Sequence, residues 1–182
     1  MSAETSPLSG FITAVAFAAD KHRTQRCKDA EASPHINHPI ALANVLANEG
    51  GVQDLNVLCA AVLHDTIEDT QTTAEELAPI FGAKVTSIVV EVTDDKSLAK
   101  EVRKQRQVEY AALISREAKL VKLADKICNL RDILASPPAD WPEERKQRYF
   151  DWAAQVVAGL RGVNPRLEAV FDGLVLESEG LT

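Results

Sequence analysis

Apolar positions along the chain recur at the spacing of helix faces and almost nowhere with the alternation of strands. Phe11, Val15, Ala18, Ala19 and His22 share one face of a first helix, with Pro7 as a stop before it and Ser9 as its cap. His22 on that face reads as a core histidine. Residues 29–39 lack a sustained period and contain Pro34 and Pro39, which predicts a loop ending at His38 and a helix opened by Pro39. That helix carries Ile40, Ala43, Val45 and Leu46 and closes at Gly50-Gly51. The next one, from about residue 54, is apolar without interruption over 57–63, as a segment buried on all sides would be. Thr73-Ala74-Glu75-Glu76 forms a capping box for a short helix stopping at Gly82, and Val85, Ile88, Val89 and Val92 then continue at helical spacing. Asp94-Asp95-Lys96-Ser97 reads as a turn whose aspartates are turn formers. Residues 98–106 predict a charged, solvated helix, and 117–134 a helix with a stripe of Leu120, Leu123, Ala124, Ile127, Leu130 and Leu134. Pro142-Glu143-Glu144 opens a long helix that buries Phe150, Ala153, Ala154, Val157 and Leu160 and closes at Gly162. Asn164-Pro165 starts another, and 177–182 reads as a frayed tail. The sum is an all-α fold of about eight or nine helices.

The apolar run at 57–63 breaks abruptly into His64-Asp65-Thr66-Ile67-Glu68-Asp69. Four ionisable groups emerging from a hydrophobic layer are costly unless they are paired or metal-bound. If the helix continues, His64 lies one turn from Glu68 and Asp65 one turn from Asp69. Two groups then hold a metal while the next turn presents two carboxylates to its open side. An adjacent His-Asp pair fills only two coordination positions, so further ligands must come from elsewhere, with His38 and Asp125 as candidates. Asp125 lies between the apolar stripe and Lys119, Lys122 and Lys126, which would hold it ionised near an anionic ligand; alone, that pattern also fits a salt-bridged surface helix.

A chain of 182 residues predicts one compact domain. Its net charge of -7 argues against broad binding to nucleic acid or anionic membrane, so an anionic ligand needs a local basic cluster such as Lys21, Arg23, Arg26 and Lys28. Cys27, Cys59 and Cys128 are far apart with no CxxC, which disfavours a disulfide framework and fits a reducing cytoplasm. The N-terminal apolar stretch at 10–19 is too short to span a bilayer and lacks a basic lead-in.

The strings Ile36-Asn37-His38-Pro39, His64-Asp65-Thr66-Ile67-Glu68-Asp69, Val92-Thr93-Asp94-Asp95-Lys96, Lys119-Leu120-Val121-Lys122-Leu123-Ala124-Asp125-Lys126 and Asn129-Leu130-Arg131-Asp132 occur in that order. Together they resemble the HD-domain metal-dependent phosphohydrolases, and within them the hydrolase domain of RelA/SpoT-type alarmone enzymes in its small single-domain form. The resemblance runs over residues 12–167. It implies an HD-domain bundle of about eight to ten helices spanning 1–182, with a core of about 9–167 and flexible ends at 1–8 and 177–182. It further implies that His38, His64, Asp65 and Asp125 are the ligands of a Mn²⁺ ion and that Glu68 and Asp69 orient or activate the attacking water. Lys28, Asn129, Arg145 and Tyr149 match positions that bind nucleotide in the family. The chain departs from the family pattern at Cys27, His35 and Cys128, where arginine, tyrosine and an aromatic or histidine are usual. The implied activity is hydrolysis of the 3′-pyrophosphate of guanosine tetra- or pentaphosphate to GDP or GTP plus pyrophosphate, by a cytoplasmic enzyme of the stringent response with a small nucleotide as its partner. The alternatives are a phosphatase acting on another phosphorylated nucleotide, such as the 2′-phosphate of NADPH, and a nucleotide sensor without turnover.

Overall fold

The computed structural model describes residues 6–27 and 31–179, and all its regular elements are helices. Helix α1 spans Pro7–Lys21, α2 Asn37–Asn44, α3 Leu55–Leu63, α4 Thr66–Asp69, α5 Ala74–Val92, α6 Lys100–Tyr110, α7 Arg116–Ala135, α8 Glu143–Leu160 and α9 Pro165–Glu179. A π-turn over Val45–Glu49 prolongs α2. Pairing between extended segments among the described residues is a single isolated bridge, Arg26 with Pro34, which pins the ends of the α1–α2 loop. No helix is long and apolar enough to cross a membrane among the described residues.

Several boundaries differ from expectation for local reasons. Pro7 is the first residue of α1 rather than a stop before it, because the first-turn N–H it lacks has no helical acceptor anyway. Ser9, expected as the cap, lies inside that helix, and its carbonyl accepts from the Thr13 hydroxyl. The same tolerance moves the start of α2 to Asn37, so Pro39 and His38 both sit in its first turn and His38 is not a loop residue. At the other end of the chain α9 persists through Glu179 with Ser178 buried, so the frayed tail expected from residue 177 is helical up to 179.

Other expectations hold. Thr73 caps α5 by accepting from the Glu76 amide, and Gly82, at φ +83°, breaks the helical dihedrals where the first segment was predicted to stop. Asp95 accepts from the amide and hydroxyl of Ser97 as a turn former. His22 is a core residue, 2% exposed, with Nδ1 2.7 Å from Gln25 Oε1.

The architecture is set by α3. Val57 and every residue from Cys59 to Leu63 are buried, so beyond its first turn this helix leaves almost no face for water. Helices α1, α2, α5 and α7 pack around it, each with an apolar stripe turned inward. Fully buried leucines such as Leu42, Leu63, Leu123 and Leu130 each stabilise the packing by roughly 1.5–3 kcal/mol. The C-terminal end of α3 thus opens among α2, α5 and α7, and the residues after Leu63 are delivered to the middle of the bundle.

Candidate metal centre and nucleotide cleft

The residues delivered there are the histidine-carboxylate run. The Thr66 hydroxyl donates to the Leu63 carbonyl at 2.7 Å, competing for a helical acceptor, and α3 gives way to the short α4. The helix therefore does not continue straight through His64 and Asp65. Asp65 and Asp69 still lie one turn apart, with the Asp69 amide donating to the Asp65 carbonyl at 2.8 Å.

His64 donates from Nδ1 to the Ala61 carbonyl at 2.8 Å, which fixes the tautomer and turns Nε2 toward the carboxylates. That nitrogen lies 2.9 Å from Asp65 Oδ1 and 3.9 Å from Asp125 Oδ1. His38 Nε2, brought from α2, is 3.2 Å from the same Asp125 oxygen. Donor atoms of His38, His64 and Asp65 lie within 4.8 Å of one another, and Asp125 borders them from α7. All four residues predicted as ligands converge on one point.

The electrostatics of this cluster are those of a cation site. Burial alone would lower the His64 pKa, but Asp65 and Asp125 outweigh it and lift it to about 9. Burial alone would raise the two aspartates, yet His64 and His35 around Asp65, and Lys126 and His38 around Asp125, hold both well below the usual carboxylate range. Despite its proximity to two carboxylates, buried His64 Nε2 has no well-aligned hydrogen-bond partner. A divalent ion that displaces the proton of this unpartnered imidazole nitrogen fits among the ionised carboxylates, and two imidazoles with two carboxylates suit Mn²⁺, Fe²⁺ or Zn²⁺.

Glu68 and Asp69 border the cluster without joining its four donors. Glu68 Oε2 accepts from the Asp94 amide at 3.1 Å, and Arg103 approaches Oε1 at 3.8 Å. Burial, reinforced by Asp94, Asp65 and Asp69, raises the Glu68 pKa. Asp69 is ion-paired with Lys96, and its carbonyl accepts from Gln25 Nε2 at 2.7 Å.

These groups form the floor of a cleft of about 730 Å³, whose walls include Arg26, Cys27, Lys122, Asn129, Trp141 and Tyr149. Asn129 Nδ2 donates to Asp125 Oδ1 at 2.9 Å. Tyr149 is half-buried between Trp141 and Trp152, and burial pushes its phenol up to about 12. Arg145 is not among the lining residues. Its guanidinium stacks at 4.5 Å on the ring of Trp141, which does line the cleft. Lys28 lies outside the described residues.

Several residues of the cleft carry no strong sequence signal. Lys126 is buried, 2.9 Å from Asp125 and 4.5 Å from the Trp152 ring centre, so α7 is no salt-bridged surface helix here. Lys122, half-buried on the same helix, lines the cleft 3.7 Å from Asp94 Oδ1. Asp94 also accepts from Gln107 at 2.6 Å, and so joins α7 to α6 besides sitting in a turn. The 3.6-residue period groups Lys122, Asp125 and Asn129 on one face, but only the packing of α8 shows which neighbours are covered. Trp141 lies within the proline-rich loop between α7 and α8 and has no periodicity to reveal it.

Comparison with known proteins agrees with the geometry. The guanosine-3′,5′-bis(diphosphate) 3′-pyrophosphohydrolase MESH1 of Danio rerio is 55% identical over 166 residues, covering 91% of this chain and 92% of that protein. The Homo sapiens protein of the same name is 53% identical over 177 residues, covering 97% and 98%. A solved structure described as a metazoan ortholog of SpoT that hydrolyzes ppGpp and plays a role in starvation responses matches with a TM-score of 0.90 at 45% identity, covering 96% of this chain and 97% of that one. The HD domain model matches residues 14–162, which hold the whole of the histidine-aspartate cluster, and the chain therefore belongs to the HD domain family.

Proposed function

We propose that the chain is a metal-dependent hydrolase that removes the 3′-pyrophosphate of guanosine tetra- or pentaphosphate, giving GDP or GTP and pyrophosphate. The observation that carries this reading is the convergence of His38, His64, Asp65 and Asp125 at the floor of a nucleotide-sized cleft, with Glu68 beside them. The reading is supported by the activity in the names of the Danio rerio and Homo sapiens relatives. His38, His64, Asp65 and Asp125 would hold a Mn²⁺ ion, which when bound lowers the pKa of water and neutralises charge on phosphate oxygens.

The remaining work falls to side chains. Glu68, its pKa raised by burial, accepts the proton of the attacking water, and its hydrogen bond from the Asp94 amide holds the carboxylate in place. Asp69, held at its carbonyl by Gln25, orients that water. Asn129 and Tyr149 contact the nucleotide from the cleft wall. Lys28 and Arg145 bind the nucleotide as well, Arg145 from its stack on the cleft residue Trp141. One domain spanning 1–182 and a reducing cytoplasm belong to the same reading.

The test is release of phosphate and pyrophosphate from a nucleotide panel with added Mn²⁺. Pyrophosphate from guanosine tetraphosphate, abolished by chelation and restored by Mn²⁺, is the expected result. Phosphate from NADPH with no pyrophosphate from guanosine tetraphosphate would reassign the substrate, and turnover after verified metal removal would overturn the metal dependence.

A further inference from the structure

The two oxygens of Asp65 face different partners. Oδ1 lies 2.9 Å from His64 Nε2, within the first ligand cluster, whereas Oδ2 lies 3.4 Å from Nε2 of His35. His35 belongs to the α1–α2 loop, and its Nε2 is buried with no well-aligned hydrogen-bond partner. Asp69 completes a second group, in which one donor atom each from His35, Asp65 and Asp69 lie within 4.8 Å of one another. The imidazole of His22, itself 2% exposed, packs against the His35 ring with centroids 4.5 Å apart, so the loop histidine has a fixed backing.

We infer that the cleft takes a second divalent cation, held by His35 Nε2, Asp65 Oδ2 and Asp69, with Asp65 bridging it to the first. This rests on the first cation site being that of the proposed hydrolase. A carboxylate whose oxygens are divided between two ligand clusters is the usual bridge of a two-metal phosphohydrolase centre, where two ions share the charge of the attacking and leaving oxygens. One imidazole and two carboxylates leave positions open for water or phosphate, as suits a borderline divalent ion. The ammonium of Lys96 rests on Asp69, and its side chain, 49% exposed on a flexible stem, is free to swing aside for a stronger cation.

The experiment is metal stoichiometry by equilibrium dialysis against Mn²⁺ and elemental analysis, with electron paramagnetic resonance on the same samples. Wild type should bind about two ions per chain and show a spin-coupled pair, while His35→Phe should bind about one and show an isolated Mn²⁺ spectrum. Asp69→Asn, which leaves the loop sequence untouched, should likewise bind about one. A wild type with a single ion that persists in His35→Phe and disappears in His64→Ala would overturn the second site and leave the first intact. Two ions in both His35→Phe and Asp69→Asn would also overturn it. A wild type that binds none would sink the metal-dependent function itself.

Discussion

Two ends of the bundle treat polar groups in opposite ways, and α7 runs through both. At the end where α9 closes over the π-turn, Arg131 grips Glu49 through two bonds of 2.7 and 2.8 Å. Asn164 Nδ2 donates to the Gly50 carbonyl, and Asn164 Oδ1 caps α9 by accepting from the Leu167 amide. Leu167 and Phe171 fill the space between. At the cleft end, by contrast, His22, His35 and His64 each keep a buried Nε2 without a partner. Arg103 Nε and Gln107 Oε1, whose side chains reach Glu68 and Asp94, complete the set of such atoms among the described residues. A buried polar group left unpaired costs about 1–3 kcal/mol. Of these residues, His35 and His64 line the cleft, where a bound ligand would supply what the protein withholds.

Substitutions should therefore separate the two ends. His64→Ala has the largest expected effect: metal content should drop and turnover should fall on the order of 10³-fold or more, since the residue anchors the proposed ion. Elemental analysis beside steady-state kinetics checks it, and unchanged stoichiometry would remove His64 as a ligand. Leu167→Ala, at the satisfied end, should do the reverse. A fully buried leucine lost against Gly50 costs about 2–5 kcal/mol in a denaturant melt, with turnover per folded molecule unchanged. Loss of turnover in the folded fraction would show that the ends are coupled.

Glu68→Gln keeps the shape and the acceptor for the Asp94 amide but removes the base, so turnover should fall by about 10²-fold with metal content and melting temperature retained. Metal loss in this variant would instead place Glu68 on the ion. The smallest effect is a pH dependence. In the metal-free protein His64 has its pKa raised from 6.5 to about 9, so its contribution to stability is complete below pH 6.5 and is lost as pH rises through about 9. Melting temperature without metal should decline across that window, whereas the metal-loaded protein, its proton displaced, should not show the decline. A flat metal-free profile would mean that the carboxylates do not hold a proton on His64.

The sequence by itself determined the helices and the position of the chemistry, because both are written in local spacing. The all-round apolar run over 57–63 reads as a buried helix, and its abrupt end at His64-Asp65 announced a polar group delivered into the core. The ordered strings carried His38 and Asp125 to the same site before any distance was known. Helix ends were less legible at Pro7, Pro39 and Glu177, where a first-turn proline and a continuing last turn look in sequence like breaks. Only the tertiary structure decided what meets across the cleft. The burial of Lys126 beneath Trp152, the stacking of Arg145 on Trp141, and the division of Asp65 between His64 and His35 each join residues from different helices or loops. Periodicity reports which face of a helix is apolar, but it carries no information about which neighbour closes over that face. Contacts between elements far apart in the chain are chosen by the packing of the whole bundle.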